Sequence, residues 1–192
     1  VATPAYPTDD QMHRTLGLSE TNEVLRAPSP ARLYRMWTVV PGSAAQPDRL
    51  YMGTEPGGLF SSDDGGTSWS LNLGLWQHPS QPEWAGAGTD YAALHSIVVD
   101  PRDMEHVYIA ISCAGVFETV DGGKSWTPRN KGISSSFLPN PTAEVGHDPH
   151  CLVQCASHPD VLWQQNHCGI FRSDDAGARW VGVAGAGEAF GW

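Results

Sequence analysis

Short apolar runs of four to six residues recur along the chain, separated by turns rich in Gly and Pro. Runs of this length bounded by turn residues are typical of β-strands and are far too short to span a membrane as helices. They come in pairs, with a turn such as Asp100-Pro101 between the two members. The predicted strand pairs are 37–40 with 49–53 around Pro41-Gly42, 95–99 with 106–111, and 150–155 with 161–165 around His158-Pro159.

One motif, [ST]-x-D-x-G-x-[TS]-W, follows each strand pair and is known as the Asp-box. Its Trp residues lie 57 and 54 positions apart, and a repeat of about this length predicts one four-stranded blade of a β-propeller. The motif is placed at the turn between the third and fourth strands. Its residues are Ser62, Asp64, Gly66 and Trp69; Thr119, Asp121, Gly123 and Trp126; and Ser173, Asp175, Gly177 and Trp180, with Arg179 where a hydroxyl is expected.

The composition of the Asp-box has a structural explanation. Its Gly provides the positive φ of a tight turn, its Asp accepts hydrogen bonds from backbone N–H groups, and its Trp covers the turn. Because each blade has one copy, Asp64, Asp121 and Asp175 lie far apart around a ring and cannot act on one substrate. We therefore predict that all three are structural.

These patterns predict an all-β fold, a β-propeller portion that forms an incomplete ring. Three blades are expected at about 33–74, 92–131 and 148–184, after an irregular remnant of a preceding blade or connection at 1–32. Because propellers have about four to eight blades, the chain is either a fragment or a unit whose copies assemble into a ring. The first residue, which is not Met, and the abrupt end after Trp192 favour the fragment.

Composition narrows the classes of partner. A net charge of −10 leaves no basic face for phosphates, which argues against nucleic acid. No membrane span is predicted, and a soluble protein is expected, with a cytoplasmic location favoured. The four Cys residues have no CxxC pair or zinc-type spacing, which predicts free thiols.

The Asp-box repeats resemble the BNR/Asp-box superfamily, which includes sialidases, sortilin-type propellers and photosystem-assembly propellers. The segments YMGTEPGGLFSSDDGGTSW, TPRNKG and QQNHCGIFRSDD are most similar to bacterial BNR-repeat proteins often described as glycosyl hydrolases or exo-α-sialidases. This resemblance covers about residues 33–192. The arginine triad, Tyr–Glu pair and acidic Asp of sialidases do not map onto numbered residues here, and the Arg-Ile-Pro segment of the first blade is absent.

Blade topology places candidate site residues on the face opposite the Asp-box turns, here called the loop face. The starts of the first strands, the ends of the second strands and two long loops meet there. The loops between Trp69 and His95 and between Trp126 and His150 are long enough to suggest a function. Five of the eight His residues fall in this group. The predicted ligand-binding residues are Trp37, Glu55, Trp76, Trp84, His95, Arg129, His147 and Asn166.

Three interpretations of this face remain open. The His and Trp residues pack the loops, or they form a site for a sugar or other polar ligand, with Trp76 or Trp84 as a stacking face. In the third, His147, His150 and His167, with Glu144, hold a divalent metal. A catalytic role is predicted for Glu144, His150 and His167, in glycoside-type hydrolysis or a metal-dependent reaction. The expected partner is a glycan, another small polar ligand or, for a non-catalytic interaction propeller, a protein.

Overall fold

The computed structural model describes residues 2–20, 23–86 and 88–183, and the predicted blade boundary at residue 184 lies outside them. Three four-stranded antiparallel sheets follow one another along the chain, each with its strands in sequence order. The first sheet contains β3 (Arg35–Pro41), β4 (Leu50–Glu55), β5 (Leu59–Ser62) and β6 (Ser70–Leu71). The second contains β7 (Leu94–Val99), β8 (Val107–Ile111), β9 (Gly115–Thr119) and β10 (Thr127–Pro128), and the third β11 (Pro149–Cys155), β12 (His158–Asn166), β13 (Gly169–Ser173) and β14 (Val181–Gly182). The predicted all-β class is confirmed.

A two-stranded hairpin precedes the sheets and differs from the irregular segment that the sequence predicts for residues 1–32. It consists of β1 (Gln11–Leu18) and β2 (Val24–Pro30). The register of the pair shifts between Thr15 and Gly17, and such a bulge interrupts the period-two pattern by which a strand is recognised.

A second difference lies in the third sheet. β12 begins at His158, so the turn predicted at His158-Pro159 falls inside the strand, and the chain reverses at residues 156–157 instead. A two-residue connection is enough to join antiparallel strands.

The second sheet is buried on both faces because successive side chains of β8 point in opposite directions. Val107, Ile109 and Ile111 pack in a core shared with the first sheet, and Tyr108 and Ala110 in a core shared with the third. β7 contacts both β3 and β11, so the first strands of the three sheets are neighbours. Every residue of β8 is buried.

The Asp-box turns share a core of hydrogen bonds in all three sheets, and the first two turns add a bond from a serine hydroxyl to the Asp carboxylate. In the first, the Ser62 hydroxyl donates to Asp64 Oδ1 at 2.8 Å, and Asp64 Oδ1 also accepts from the Ser68 backbone N–H at 2.8 Å. Each turn also bonds to the chain beside the reversal between the first and second strands of its sheet. Gly65 donates to the carbonyl oxygen of Asp48 and Gly122 to that of Glu105, both in the connection, and Ala176 donates to that of Asp160, near the start of β12. The Asp-box and the reversal between the first two strands therefore lie at the same end of each sheet.

The connection from β6 to β7 contains one turn of helix, α1 (Leu73–Trp76), and a 3-10 turn at Gln81–Glu83. The Asn72 side chain caps α1 by accepting from the Leu75 N–H at 2.8 Å. In the described part of the chain, no helix is long and apolar enough to cross a membrane.

Candidate functional site

A large cleft opens on the loop face, between the β1–β2 hairpin and the two long connections. Its volume is about 1040 Å³. Cys113, in the turn between β8 and β9, contributes to its lining, which locates the cleft at the end of the second sheet opposite the Asp-box. The walls are formed by residues of the hairpin, of 83–86 and 88–90, and of 137–140 with 143 and 145–146.

Hydrogen bonds join the hairpin to the connection that faces it. The Thr15 N–H donates to the carbonyl oxygen of Asp90 at 2.7 Å, and the Gly86 N–H donates to Thr15 Oγ1 at 2.9 Å. Arg26 donates from NH2 to the carbonyl oxygen of Glu83 at 2.7 Å. These bonds hold the wall of the cleft in place. This wall is absent from the sequence-based prediction because the bulged β1 and its partner β2 lack a clear strand pattern.

The lining combines charged and apolar side chains. Carboxylates come from Glu23, Glu83 and Asp90, and a guanidinium comes from Arg26. Asp90 is also paired with Arg14 at 3.0 Å, an ion pair in which both side chains are half exposed. The apolar part of the lining includes Leu16, Val24, Phe137, Leu138, Pro139 and Val145.

Beside the cleft, Asp148, His150 and His167 form a compact group, here called the Asp148 cluster. One ligand atom from each of the three lies within 4.8 Å of the others. Asp148 Oδ2 is 3.2 Å from His150 Nε2 and 3.9 Å from His167 Nδ1. The carboxylate is buried, the His150 side chain is 11% exposed and the His167 side chain is 44% exposed, so the cluster is open on the His167 side.

Backbone contacts position this cluster. His150 lies in β11, and His167 follows the last residue of β12, whose strand pairs with β11. The His167 N–H donates to the carbonyl oxygen of Asp148 at 2.9 Å, and the Cys113 N–H donates to Asp148 Oδ1 at 3.3 Å. Phe137, which lines the cleft, contacts the His167 ring edge-on at 5.4 Å between centroids.

His147 lies apart from the cluster in a fully buried position. Its Nε2 donates to the carbonyl oxygen of Ala143 at 2.8 Å, and its Nδ1 accepts from the Ser135 hydroxyl at 2.7 Å. Burial lowers its pKa from the ordinary value, so the ring is held neutral. With both nitrogens engaged it fixes the loop, and Asp148 occupies the position in the metal group that was predicted for His147.

His95 also bonds to the protein through both ring nitrogens. Nε2 donates to the carbonyl oxygen of Pro149 at 2.8 Å, and Nδ1 lies 2.9 Å from the Ser96 hydroxyl. The Ser96 oxygen accepts from the Leu152 N–H at 3.2 Å. Because burial lowers the pKa of His95, we interpret the neutral ring as a link between β7 and β11 rather than as a ligand group.

The predicted stacking residues Trp76 and Trp84 belong to the core, because both side chains are buried. Trp76 packs on Tyr6 and donates from Nε1 to Asp10 at 2.6 Å. Trp84 packs on Phe117 and donates to the Ser80 hydroxyl. Neither lies in a position to offer a free face to a sugar.

Trp37 and Glu55 lie together at the loop-face end of the first sheet. Trp37 is 38% exposed, and its Nε1 is 3.3 Å from the buried Glu55 carboxylate, which also accepts from Arg35 at 3.2 Å. They form a local polar pair, and neither is among the residues that line the cleft.

The remaining predicted residues have separate surroundings. Arg129 is paired with Glu118, which also accepts from His106 at 2.8 Å. Asn166 is buried and accepts from the Cys168 N–H at 3.1 Å, which shapes the turn that carries His167. Glu144 has an exposed side chain and is not a member of the Asp148 cluster.

Comparisons with known proteins found partial matches to longer proteins. No family model matches the chain. The oligoxyloglucan-reducing end-specific xyloglucanase of Emericella nidulans is 31% identical over 80 residues, which are 41% of this chain and 9% of that protein. An ancestral GH74 enzyme matches with a TM-score of 0.57 and 18% identity, over 96% of this chain and 26% of that one. YCF48 from Cyanidioschyzon merolae matches with a TM-score of 0.48 and 14% identity, over 76% of this chain and 36% of that one.

The match to the ancestral GH74 enzyme confirms that the three sheets are a portion of a β-propeller. The chain spans 9% of the curated relative and 26% of the ancestral GH74 enzyme. It is similar to GH74 xyloglucanases, whereas the sialidase-like and sortilin-like parts of the predicted resemblance stay predictions.

Proposed function

We propose that the chain is part of a glycan-binding β-propeller and that its cleft takes a neutral oligosaccharide of the glucan type. The observation that carries the proposal is the cleft of about 1040 Å³ on the loop face, with its mixed apolar and charged lining. Ligand sites of this kind combine a recess with a few polar groups that orient the ligand. The similarity to a xyloglucanase supports the glucan class.

The charges of the lining favour a neutral sugar over a sialylated one. Glu23 and Glu83 bring negative charge, and Asp90 already has Arg14 as a partner. Among the described residues of the lining, Arg26 is the basic one, and a sialic acid carboxylate is usually bound by several guanidinium groups. The hydroxyl groups of a neutral sugar can donate to the carboxylates and accept from Arg26.

Phe137 offers an aromatic face for such a ligand. Its side chain is 40% exposed, lines the cleft and is steadied by the edge-on contact with His167. Aromatic rings pack on the apolar face of a sugar ring, and we take the value for an aromatic pair, about 0.5–1.5 kcal/mol, as the scale of this contact. Phe137 therefore replaces Trp76 and Trp84 as the candidate stacking residue.

Isothermal titration calorimetry with xyloglucan oligosaccharides tests the proposal. Binding to the wild-type protein is expected, and Phe137→Ala should weaken it roughly three- to ten-fold. Arg26→Gln should weaken it as well, because the guanidinium supplies donors in the cleft. Val120→Ala is the matched control, since Val120 is an exposed apolar side chain next to an Asp-box on the opposite face.

A sialylated trisaccharide completes the experiment. Equal or tighter binding of this anionic sugar would contradict the proposed neutral ligand. Absence of binding to every sugar would overturn the glycan proposal and favour the alternative of a protein-interaction propeller.

Hydrolysis is a separate prediction for the same loop face. It assigns catalytic roles to Glu144, His150 and His167, of which His150 and His167 are neighbours and Glu144 is exposed elsewhere on the loop. Release of reducing ends from xyloglucan, compared between wild type and Glu144→Gln, measures it directly. Binding without release of reducing ends would leave a binding module as the function.

A further inference from the structure

We propose that the Asp148 cluster binds one divalent transition-metal ion through the Asp148 carboxylate and the imidazoles of His150 and His167. Two imidazoles and one carboxylate are a ligand set suited to zinc, manganese or iron(II), with further positions left for water or a ligand. The set differs from the sequence prediction because Asp148 takes the place of both His147 and Glu144. It does not depend on the glycan proposal.

The distances suit such an ion. Ligand atoms around a metal with bonds of about 2.1 Å are about 3.0–3.4 Å apart in octahedral or tetrahedral geometry. The 3.2 Å separation of Asp148 Oδ2 and His150 Nε2 falls in this range. The 3.9 Å separation from His167 Nδ1, and the spread of up to 4.8 Å among the three ligand atoms, require an inward movement of about an ångström by His167, the most exposed of the three side chains.

The charge balance of Asp148 supports a cation. The ion-pair partners of Asp148 in the described residues are the two histidines, and a buried carboxylate needs a compensating charge. Elsewhere, His106 also lies between two carboxylates, but these belong to a different kind of site. Asp100 is paired with Arg102 and Glu118 with Arg129, so arginine already balances both charges.

A hydrogen bond between His150 and Asp148 is the simpler explanation of the contact, but it leaves two features unexplained. A hydrogen bond between two side chains does not need a third residue, yet His167 places a ring nitrogen within 4.8 Å of the other two ligand atoms. The hydrogen bond to His150 also does not need a partner for the second carboxylate oxygen, yet Asp148 Oδ1 accepts from the Cys113 N–H at 3.3 Å. Such outer contacts are typical of metal ligands, whose orientation they fix.

The open side of the cluster adjoins the cleft. His167 touches Phe137, and both Phe137 and Cys113 line the cleft. A metal held here would have its free coordination positions on the side of His167, where water or an oxygen atom of a cleft ligand can reach it.

Titration of the chelator-treated full chain with Mn²⁺, followed by electron paramagnetic resonance, tests the site, and Zn²⁺ calorimetry provides a second measurement. Mn²⁺ discriminates against thiolates, and the Cys151→Ser variant guards against zinc uptake by the exposed thiol next to His150. We expect one saturable ion per chain. His167→Gln and Asp148→Asn should each weaken binding by at least about ten-fold, since loss of even an outer-shell partner costs 10–100-fold.

His106→Gln is the matched control, because it removes a histidine that contacts carboxylates outside the cluster and should leave metal affinity unchanged. Circular dichroism verifies that each variant is folded, and the partly exposed His167 allows a substitution that spares the core. Unsaturable uptake by the wild type, or full affinity in folded His167→Gln, would overturn the proposal.

Discussion

The indole Nε1 of Trp180 donates a hydrogen bond to the carbonyl oxygen of Arg129 at 2.7 Å, from the third Asp-box to the end of the second sheet. The same connection recurs one repeat earlier, where Trp126 Nε1 donates to Asn72 Oδ1 at 3.1 Å. Each of these tryptophans packs in the core of its own sheet and hydrogen-bonds to the preceding one. The Asp-box joins neighbouring sheets in addition to closing its turn.

Replacement of Trp180 by Phe should destabilise the protein. Trp180 is 1% exposed, so the substitution leaves the Arg129 carbonyl without its donor and opens a small cavity. These effects together cost about 2 kcal/mol or more. Chemical denaturation measures the loss. Trp69→Phe, at the half-buried equivalent in the first sheet, should cost clearly less, and an equal loss would contradict the explanation.

Substitution of Ala176 by Gly should stabilise the third Asp-box turn. Ala176 has a φ of 56°, whereas Gly65 and Gly122 occupy the equivalent positions of the other two turns, with φ of 65° and 70°. Left-handed backbone costs a non-Gly residue about 1–2 kcal/mol, partly offset by the greater flexibility of Gly in the unfolded chain. A net gain of about 0.5–1 kcal/mol is expected in the free energy of unfolding.

Ala178→Gly is the control for this gain. Ala178 is exposed in the same turn and is not among the residues with positive φ, so Gly there should destabilise slightly. A stabilising effect of both substitutions would refute the role of the strained φ.

Gly132→Ala should be strongly destabilising because of the neighbouring sheet. Gly132 has a φ of 96°, and a Cβ there would lie 2.2 Å from the carbonyl oxygen of Trp180. Gly17→Ala isolates the clash, since Gly17 also has a positive φ, of 128°, but no atom lies within 4 Å of its added Cβ. Thermal unfolding should show the larger loss for Gly132→Ala, and similar losses would contradict the close packing.

Acid should weaken the Asp-box turns. Hydrogen bonds from the Ser68 hydroxyl, the Ser68 N–H and the Ser62 hydroxyl lower the pKa of Asp64 from 3.8 to about 2. Because the folded-state pKa is depressed, the stabilisation is complete above pH 4 or so and is lost as pH falls through about 2. Ser68→Ala should raise the pKa of Asp64 toward its ordinary value, as an NMR titration of the carboxyl carbon would show.

The third Asp-box offers the reciprocal variant. Arg179 stands where the other copies have a serine, and it reaches Asp175 through its backbone N–H at 2.9 Å. Arg179→Ser supplies a hydroxyl and should lower the pKa of Asp175 further. An unchanged titration of both carboxyls would show that the hydroxyl at this position does not control the pKa.

The propeller portion was predictable because its signals are local. The Asp-box hydrogen bonds form within seven residues, such as Ser62 to Ser68, so residue types at fixed spacing are sufficient to recognise the turn. The hairpin of β1 and β2 was missed because its bulge disturbs the alternation and because its contacts are with distant residues such as Asp90.

The chemistry of the loop face was predictable only in part. Histidines are expected there from the sequence. However, His95 and His147 bond to backbone carbonyl oxygens, and because every residue has one, no residue type in the sequence marks these acceptors. An aromatic residue in a long loop can likewise cover the core or face a ligand. Only the burial of Trp76 in the structure shows that it covers the core. Asp148 and His150 are two residues apart, yet the third member of their group arrives from another strand.

The tryptophans that hydrogen-bond to the preceding sheet link each four-stranded sheet to its neighbour. The second and third repeats each contribute an indole that reaches the preceding repeat, and the first and second repeats provide its acceptor, at Asn72 and Arg129. A duplicated repeat would therefore contain both the indole donor and the acceptor position of this hydrogen bond. Insertion of a whole repeat would therefore preserve the joints between neighbouring sheets, because the indole and its acceptor position are inserted together.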